Sequence, residues 1–203
     1  MQNHTSPVGR IIYPSLNEPK ENLSKNLEWG LGLEVDIADS DSVMQLIEEQ
    51  LAEFREKNPQ FPKTNEFRNK LNKPDALNFP YKPSLKKHPD GSMVPIEGKI
   101  VFNFKRPLLT RKGQQNQPPV ILSSKGHPVA NPPEITTGST GRAIFRPFVY
   151  DNASKGVGFY LLGVQIKALS SVVIEAEPIE GGWDPEDEAV APALTLDGED
   201  LPF

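Results

Sequence analysis

The feature that most constrains the fold is a regular alternation of apolar and polar side chains from Leu27 to Ile37. Every second residue in this segment is large and apolar, and the residues between them are acidic or glycine. A period of two is the signature of a β-strand with one buried face. Because Gly30 and Gly32 fall on the open face, we expect the strand to be curved or bulged, as the strands of a closing barrel are.

The rest of the chain predicts further strands and a single helix. The apolar stripe of the helix consists of Val43, Ile47, Leu51 and Phe54. Ser40 or Ser42 caps this helix, which ends at Asn58-Pro59. Further strands are predicted over residues 8–13, closed by Pro14, and over residues 99–105, 120–123, 141–150 and 157–169. Residues 59–98 contain seven prolines and little periodicity, which predicts a long functional loop or a partly mobile segment.

These elements predict a mainly β fold. About five strands, with one helix after the second and long loops between them, fit a five-stranded oligonucleotide-binding barrel best among small closed or half-closed barrels. A β-sandwich would give a similar pattern and is the alternative. We expect the barrel to occupy residues 6–170 and residues 171–203 to form a disordered acidic tail.

Charge is divided unevenly along the chain. The net charge is −5, but the residues after Lys167 include ten acids and no Lys or Arg. Residues 1–167 therefore carry a net charge of +5. A basic body with an acidic tail is typical of a polyanion-binding domain joined to an interaction segment.

The segment from Gly141 to Tyr150 is the strongest candidate for a binding surface in the body. Alternation places Arg142, Arg146, Phe148 and Tyr150 on one face of a strand. Guanidinium groups pair with phosphates, and aromatic rings offer faces on which bases stack, so this pattern suits a single strand of nucleic acid. The alternative is that the two rings pack in the core or across strands and that the arginines are solvated.

A second basic cluster lies on and just after the predicted strand at residues 99–105. Its members are Lys99, Lys105, Arg106, Arg111 and Lys112. The loop that follows the strand could track a phosphate backbone, because the body as a whole is basic. A solvated, charged turn is the alternative.

The C-terminal tip combines acids with a hydrophobic end. Asp197, Glu199 and Asp200 precede Leu201-Pro202-Phe203. The terminal Phe203 carries both a ring and the free carboxylate of the chain, a pair that suits an apolar pocket rimmed by Lys or Arg. A tail that merely solubilises the protein would not need hydrophobic residues at its extreme end. We therefore predict that the tip binds a partner.

Other classes of function lack support in the sequence. His4, His88 and His127 are scattered, and no carboxylate spacing makes them metal ligands, so we expect no metal, no cofactor and no catalytic residues. The chain has no cysteine, and its N-terminus lacks the apolar region of a signal peptide. Its longest apolar stretch is too short and too polar to span a membrane. We expect a soluble cytoplasmic protein.

Two parts of the sequence resemble known proteins. The tip is similar to the C-termini of bacterial single-stranded DNA-binding proteins, where acids precede an Ile-Pro-Phe-type ending. The body resembles bacteriophage single-stranded DNA-binding proteins of the oligonucleotide-binding fold. This second resemblance rests on residues 141–152, 155–159 and 164–165, and residues 9–13 and 123–125 with Pro128 fit as well.

The resemblance implies that the protein coats single-stranded DNA, without sequence preference, during phage DNA replication, recombination and repair. It also implies contacts between the tail and a polymerase, helicase or primase, and competition between the tail and DNA for the basic groove. We expect Lys155 to join the other basic residues in neutralising phosphates and Phe159 to join the two rings in stacking bases. The location would be the cytoplasm of the host cell if a phage encodes the protein.

Two other functions are left open by the sequence. One is a phage structural or assembly protein, whose basic face would pack against another subunit. The other is an RNA-binding barrel, although nothing in the pattern reads a 2′-hydroxyl. The oligomeric state is also open, with a homodimer among the options.

Overall fold

The structure is a computed structural model that describes residues 2–22, 24–63, 77–110, 112–152 and 154–170. These residues form a mainly β fold with one α-helix. The strands are β1 (His4–Thr5), β2 (Gly9–Glu21), β3 (Leu27–Asp36), β4 (Tyr81–Lys87), β5 (Met93–Pro107), β6 (Val120–Leu122), β7 (Thr140–Asp151) and β8 (Lys155–Ala168). A 3-10 turn at Ile37–Asp39 leads into the helix α1 (Asp41–Lys57).

Five of the strands pair in a partial ring. Antiparallel pairing joins β7 to β2, β2 to β3, β3 to β5, and β8 to β7. The ring is closed by a parallel contact between β5 and β8, where Lys105 pairs with Tyr160. Five strands in a partly open ring match the arrangement of the oligonucleotide-binding fold, and the predicted mainly β fold with one helix is confirmed. The strands β1, β4 and β6 extend the sheet beyond the ring.

The core lies inside this ring and against α1. Alternation on β3 buries Trp29, Leu31, Leu33 and Val35, as predicted. The aromatic side chains of Phe102, Phe104, Phe145 and Phe159 fill the interior, and all are at most 2 % exposed. The helix adds Val43, Leu46, Ile47 and Leu51 to the same cluster. The outer face of the ring therefore rests on a packed interior.

The helix has the bounds that its sequence predicts. It begins after Ser40 and ends before Asn58. The side chain of Ser40 makes no capping bond to the helix, because its hydroxyl donates instead to the carbonyl of Ile37 at 2.7 Å. At the other end, the side-chain amide of Asn58 donates to the carbonyl of Phe54 at 2.9 Å.

Strand β2 does not end at Pro14 as expected. It continues to Glu21, and its register against β3 shifts between Ile12 and Ser15 and again between Ser15 and Lys20. Pro14 and Pro19 fall in these two irregular stretches. A residue without an N–H is tolerated at a bulge, because it leaves no ladder hydrogen bond unmade.

The segment 59–98 was expected to be a loop but contains a strand and the start of another. The hairpin of β4 and β5 occupies residues 81–107, and its turn includes Gly91 at φ 87°. Because of Pro83, the sequence does not predict a strand at β4. The strand β4 pairs with β5 at the edge of the sheet, where proline is tolerated. Residues 64–76 of the same segment lie outside the described residues.

Candidate nucleic-acid interface

Two adjoining grooves cross the outer face of the ring. We call the first the aromatic groove; it has a volume of about 480 Å³, and its walls include Phe79, Phe148, Tyr150 and Tyr160. We call the second the glycine groove; it has a volume of about 540 Å³, and Gly30 and Gly32 lie along it. The two grooves share Glu28, Asn103 and Lys105, so they form one continuous channel across β3, β5, β8 and β7.

The aromatic groove owes its shape to glycines on β8. Phe148 pairs with Gly158 and Tyr150 pairs with Gly156 across the β7–β8 ladder. A Cβ atom on Gly158 would lie 2.5 Å from Cζ of Phe148, and one on Gly156 would lie 2.8 Å from the hydroxyl of Tyr150. Because Gly156 and Gly158 have no side chains, the rings of Tyr150 and Phe148 can lie close over β8.

The rings of the aromatic groove are accessible. Phe148 is 39 % exposed, and its centroid lies 6.1 Å from that of Tyr150. Tyr160 is half-buried, and the guanidinium carbon of Arg106 lies 5.3 Å from the centre of its ring. A cation over one face of a ring leaves the other face for a planar ligand. The groove thus offers several π-faces within one short stretch of surface.

Charge in the channel is balanced rather than strongly basic. The basic residues that line it are Lys20, Lys82 and Lys105, and the acidic ones are Glu21, Glu28 and Glu134. The ammonium of Lys105 lies 2.6 Å from Oε1 of Glu28, and the side-chain amide of Asn22 donates to Oε2 of the same carboxylate at 3.0 Å. A polyanion that enters the channel would compete with Glu28 for Lys105.

The two arginines of β7 share a face with Phe148 and Tyr150, as the alternation predicts, but lie nearer the start of the strand. Nε of Arg142 donates to Oε1 of Gln165 at 2.8 Å, and Nε of Arg146 donates to Oδ1 of Asn3 at 2.7 Å. Phe148 lies six positions after Arg142, which is about 20 Å along a strand. These contacts leave part of each guanidinium for a phosphate outside the aromatic groove.

The other predicted basic residues are dispersed. Lys99 lies near the middle of β5, six residues before Lys105, and contacts Asp36 at 2.7 Å; this hydrogen-bonded carboxylate raises the pKa of Lys99. Nη1 of Arg106 donates to the carbonyl of Leu161 at 3.4 Å, across the closure of the ring. Lys155 lies 3.2 Å from Asp151, and Lys112 is exposed in a turn. Of the described members of this set, only Lys105 lines the channel.

Phe159 is a correction to the predicted stacking set. It is 2 % exposed, and its ring centre lies 4.5 Å from that of Phe145 and 5.3 Å from that of Phe104. It pairs with Pro147 across the hairpin, on the inner face, so a base cannot reach either of its faces. Side chains along β8 alternate between the two faces, and Phe159 falls on the inner face together with Val157 and Leu161.

Several channel residues were missed by the sequence analysis. They are Lys20, Phe79, Lys82, Asn103 and Tyr160. Alternation could have found Tyr160, since it follows the inward-facing Phe159. The others belong to segments that were predicted to be loop or whose pairing partners are far away in sequence. Arg111 and the tip residues Asp197, Glu199, Asp200, Leu201, Pro202 and Phe203 lie outside the described residues.

Within the described part of the chain, two further features are absent. No three His, Asp or Glu side chains come together in a way that could hold a metal ion. None of the helices there has the length and apolar character needed to cross a membrane.

Comparison with known proteins identifies the fold. No protein-family model matches the sequence, and no curated protein matches it. Among solved structures, the chain is similar to gp2.5, a single-stranded DNA binding protein encoded by bacteriophage T7, with a TM-score of 0.56 and 18 % identity over 88 % of this chain and 99 % of that one. It is also similar to the single-stranded DNA-binding protein of bacteriophage Enc34 in complex with single-stranded DNA, with a TM-score of 0.52 and 16 % identity over 87 % of this chain and 88 % of that one. At such identities the likeness shows a shared fold.

Proposed function

We propose that this protein binds single-stranded DNA without sequence preference and coats it during phage replication and recombination. The observation that carries the proposal is the row of accessible rings on the outer face of the ring of strands, with Phe148 and Tyr150 over the glycines of β8. The fold is also that of two phage proteins whose names state that they bind single-stranded DNA. The function is binding, with no catalytic step.

Stacking supplies much of the affinity in this mechanism. Each base that stacks on an aromatic side chain contributes about 1–3 kcal/mol, and every base has a π-face, so the contribution is nearly independent of sequence. The aromatic groove offers rings from β7 and β8 and from Phe79 at its edge. A duplex keeps its bases stacked inside the helix and cannot use these rings. The arrangement therefore favours single strands.

Phosphate contacts supply the remainder. Lys20, Lys82 and Lys105 lie along the channel, and the body outside it carries the other predicted cations. We assign phosphate contacts to Lys99, Arg106, Arg111, Lys112, Arg142, Arg146 and Lys155 as the DNA continues over the surface. Each neutralised phosphate changes the slope of log affinity against log salt concentration by about −0.7 on a single strand.

The acidic tail is the second part of the proposal. Residues 171–203 would act apart from the domain formed by residues 6–170. The tip would recruit a polymerase, helicase or primase, because Phe203 presents an aromatic ring and a carboxylate together after a run of acids. The acids would also compete with DNA for the cations of the body. Removing residues 197–203 should leave affinity for DNA equal or higher and abolish capture of the replication proteins; weaker DNA binding would contradict the competition.

Fluorescence anisotropy with labelled oligo-dT at low salt tests the main proposal. We expect binding to oligo-dT that is tighter than binding to a duplex of the same length and that weakens as salt rises. Binding to neither form, together with stable oligomers, would favour a structural protein. Tighter binding to oligo-U than to oligo-dT would favour an RNA-binding protein. Sedimentation of the free protein decides between a monomer and a homodimer.

A further inference from the structure

Tyr13 has a backbone conformation that its residue type disfavours. Its φ is 48°, in the left-handed region, where a residue with a bulky side chain is strained. Tyr13 is 82 % exposed, so packing of its ring does not offset this strain. Strained residues of this kind persist where the surrounding structure fixes them, and they cluster at sites of function.

The neighbouring backbone fixes this conformation. The N–H of Tyr13 donates to Oγ1 of Thr137 at 3.0 Å. The N–H of Ile11 donates to the carbonyl of Ser139 at 2.7 Å, and the N–H of Gly138 donates back to the carbonyl of Ile11 at 2.9 Å. The register shift that follows Ile12 interrupts the ladder at the same point. The bulge is thus held by residues 137–139, and the ring projects from it.

Tyr13 lies at the glycine groove, and its ring is exposed. Tyr13 lines the glycine groove together with Lys20, Lys82 and Lys105. At their starts β2 and β7 pair directly, through Gly9 and Gly141, but along the channel the path from β2 to β7 crosses β3, β5 and β8. Four spacings of about 4.8 Å between neighbouring strands make this path about 19 Å long over the surface of the sheet. Gly30, Gly32 and Lys105, on β3 and β5, lie between these two aromatic positions.

We propose that Tyr13 is a base-stacking platform at the opposite end of the channel from Phe148. A single strand would lie across β2, β3, β5, β8 and β7, with bases stacked at both ends and its backbone passing the lysines. This inference rests on the proposed binding of single-stranded DNA and adds a residue and a path to it. In this proposal the left-handed backbone of Tyr13 holds its ring clear of the sheet, where a base can reach it.

Three variants of the full chain test the proposal. Tyr13→Asn removes the ring and places a residue that tolerates a left-handed backbone. Tyr13→Phe keeps the ring. Leu85→Ala is the matched control, because Leu85 is 45 % exposed on β4 and does not line either groove. Affinity for oligo-dT is measured by anisotropy, and the melting temperature is measured for each variant.

We expect Tyr13→Asn to lower affinity for oligo-dT at least about fivefold, the smallest loss that corresponds to one stacked base. Tyr13→Phe and Leu85→Ala should bind within about twofold of the wild type. The melting temperature of Tyr13→Asn should equal or exceed that of the wild type, because the strain is relieved. Oligonucleotides that carry 5-iodouracil should cross-link to Tyr13 on irradiation.

Three results would overturn the assignment of Tyr13 while leaving the binding of DNA in place. These are equal affinities of wild type and Tyr13→Asn, equal losses for Tyr13→Phe and Tyr13→Asn, and a loss of affinity in Tyr13→Asn that comes with a lower melting temperature. A wild-type protein that does not bind oligo-dT at all would instead overturn the proposed function. The two failures are therefore distinguishable.

Discussion

The two faces of the β7–β8 hairpin carry similar aromatic side chains in different surroundings. On the inner face, Phe145 and Phe159 are at most 2 % exposed and pack 4.5 Å apart with Phe104 beside them. On the outer face, Phe148 and Tyr150 lie over the glycines of β8, and Phe148 is 39 % exposed. Phe148 is on β7 and Phe159 is on β8. The pairs Phe148–Gly158 and Pro147–Phe159 are successive pairs of the same ladder.

The difference between the faces follows from parity and from the size of the opposing residue. Successive side chains of a strand point to opposite faces, so a shift by one residue moves a ring from the core to the surface. Opposite Phe148 stands a glycine, which leaves room for the ring to lie on the sheet without burial. The composition of the hairpin therefore does not reveal the role of each ring, whereas its register does.

The largest effect that tests this comparison is on stability. Phe159→Ala should lower the free energy of unfolding by about 3–5 kcal/mol, because it opens a cavity among packed rings. Urea unfolding followed by circular dichroism measures the change. A loss below about 1 kcal/mol would mean that Phe159 is not a core residue.

The corresponding change on the outer face should affect binding instead. Phe148→Ala should lower affinity for oligo-dT by about 1–3 kcal/mol, which is about 5- to 150-fold. Phe148→Tyr keeps the ring and serves as the control. Anisotropy gives the affinities, and urea unfolding should show a change well below that of Phe159→Ala. Unchanged affinity would remove the aromatic groove from the proposed interface.

A smaller and opposite pair of effects is expected at the ion pair between Lys105 and Glu28. Lys105→Gln removes one phosphate contact and should reduce the salt slope by about 0.7, with a loss of affinity of about fivefold at 0.1 M salt. Glu28→Gln removes the carboxylate that competes with phosphate, so affinity should rise. Titrations of both variants across salt concentrations measure these changes. Weaker binding by Glu28→Gln would show that the carboxylate positions Lys105 for DNA.

The smallest effect is expected at the start of β7. Arg142→Gln should lower affinity by only about twofold, because Arg142 already donates to Gln165 and lies about 13 Å along β7 from Arg146, the residue that pairs with the nearest ring of the aromatic groove, Tyr160. The same titrations apply. A loss as large as that of Phe148→Ala would move the centre of the interface toward the arginines and invert the ranking of the two ends of this strand.

Local patterns in the sequence were sufficient to predict the elements of the ring. The alternation from Leu27 to Ile37, the stripe of α1 and the face shared by Arg142 and Phe148 are each defined within about ten residues, and the structure has all three. Such patterns arise because burial on one side selects apolar residues at the period of the element.

Pairings between distant strands could not be predicted in this way. The contact of Lys105 with Glu28 depends on the register of β5 against β3, and that of Arg142 with Gln165 on the hairpin ladder. Nothing local to Lys105 indicates that a carboxylate will stand beside it. The exposed and strained Tyr13 was missed for a related reason, since Pro14 beside it was interpreted as the end of a strand rather than as part of a bulge.

The closure of the ring has a consequence for the dynamics of the protein. In the described residues β5 and β8 meet through the pair of Lys105 and Tyr160, and both of these residues line the aromatic groove. A ligand that lies across this junction binds only while it is closed, so it suppresses local opening, and amide hydrogens of β5 and β8 should exchange more slowly in the complex. Linkage is reciprocal: an event that separates β5 from β8 would lower affinity for the proposed DNA ligand by the same factor. Spontaneous opening of this junction would then be a route by which the protein leaves DNA.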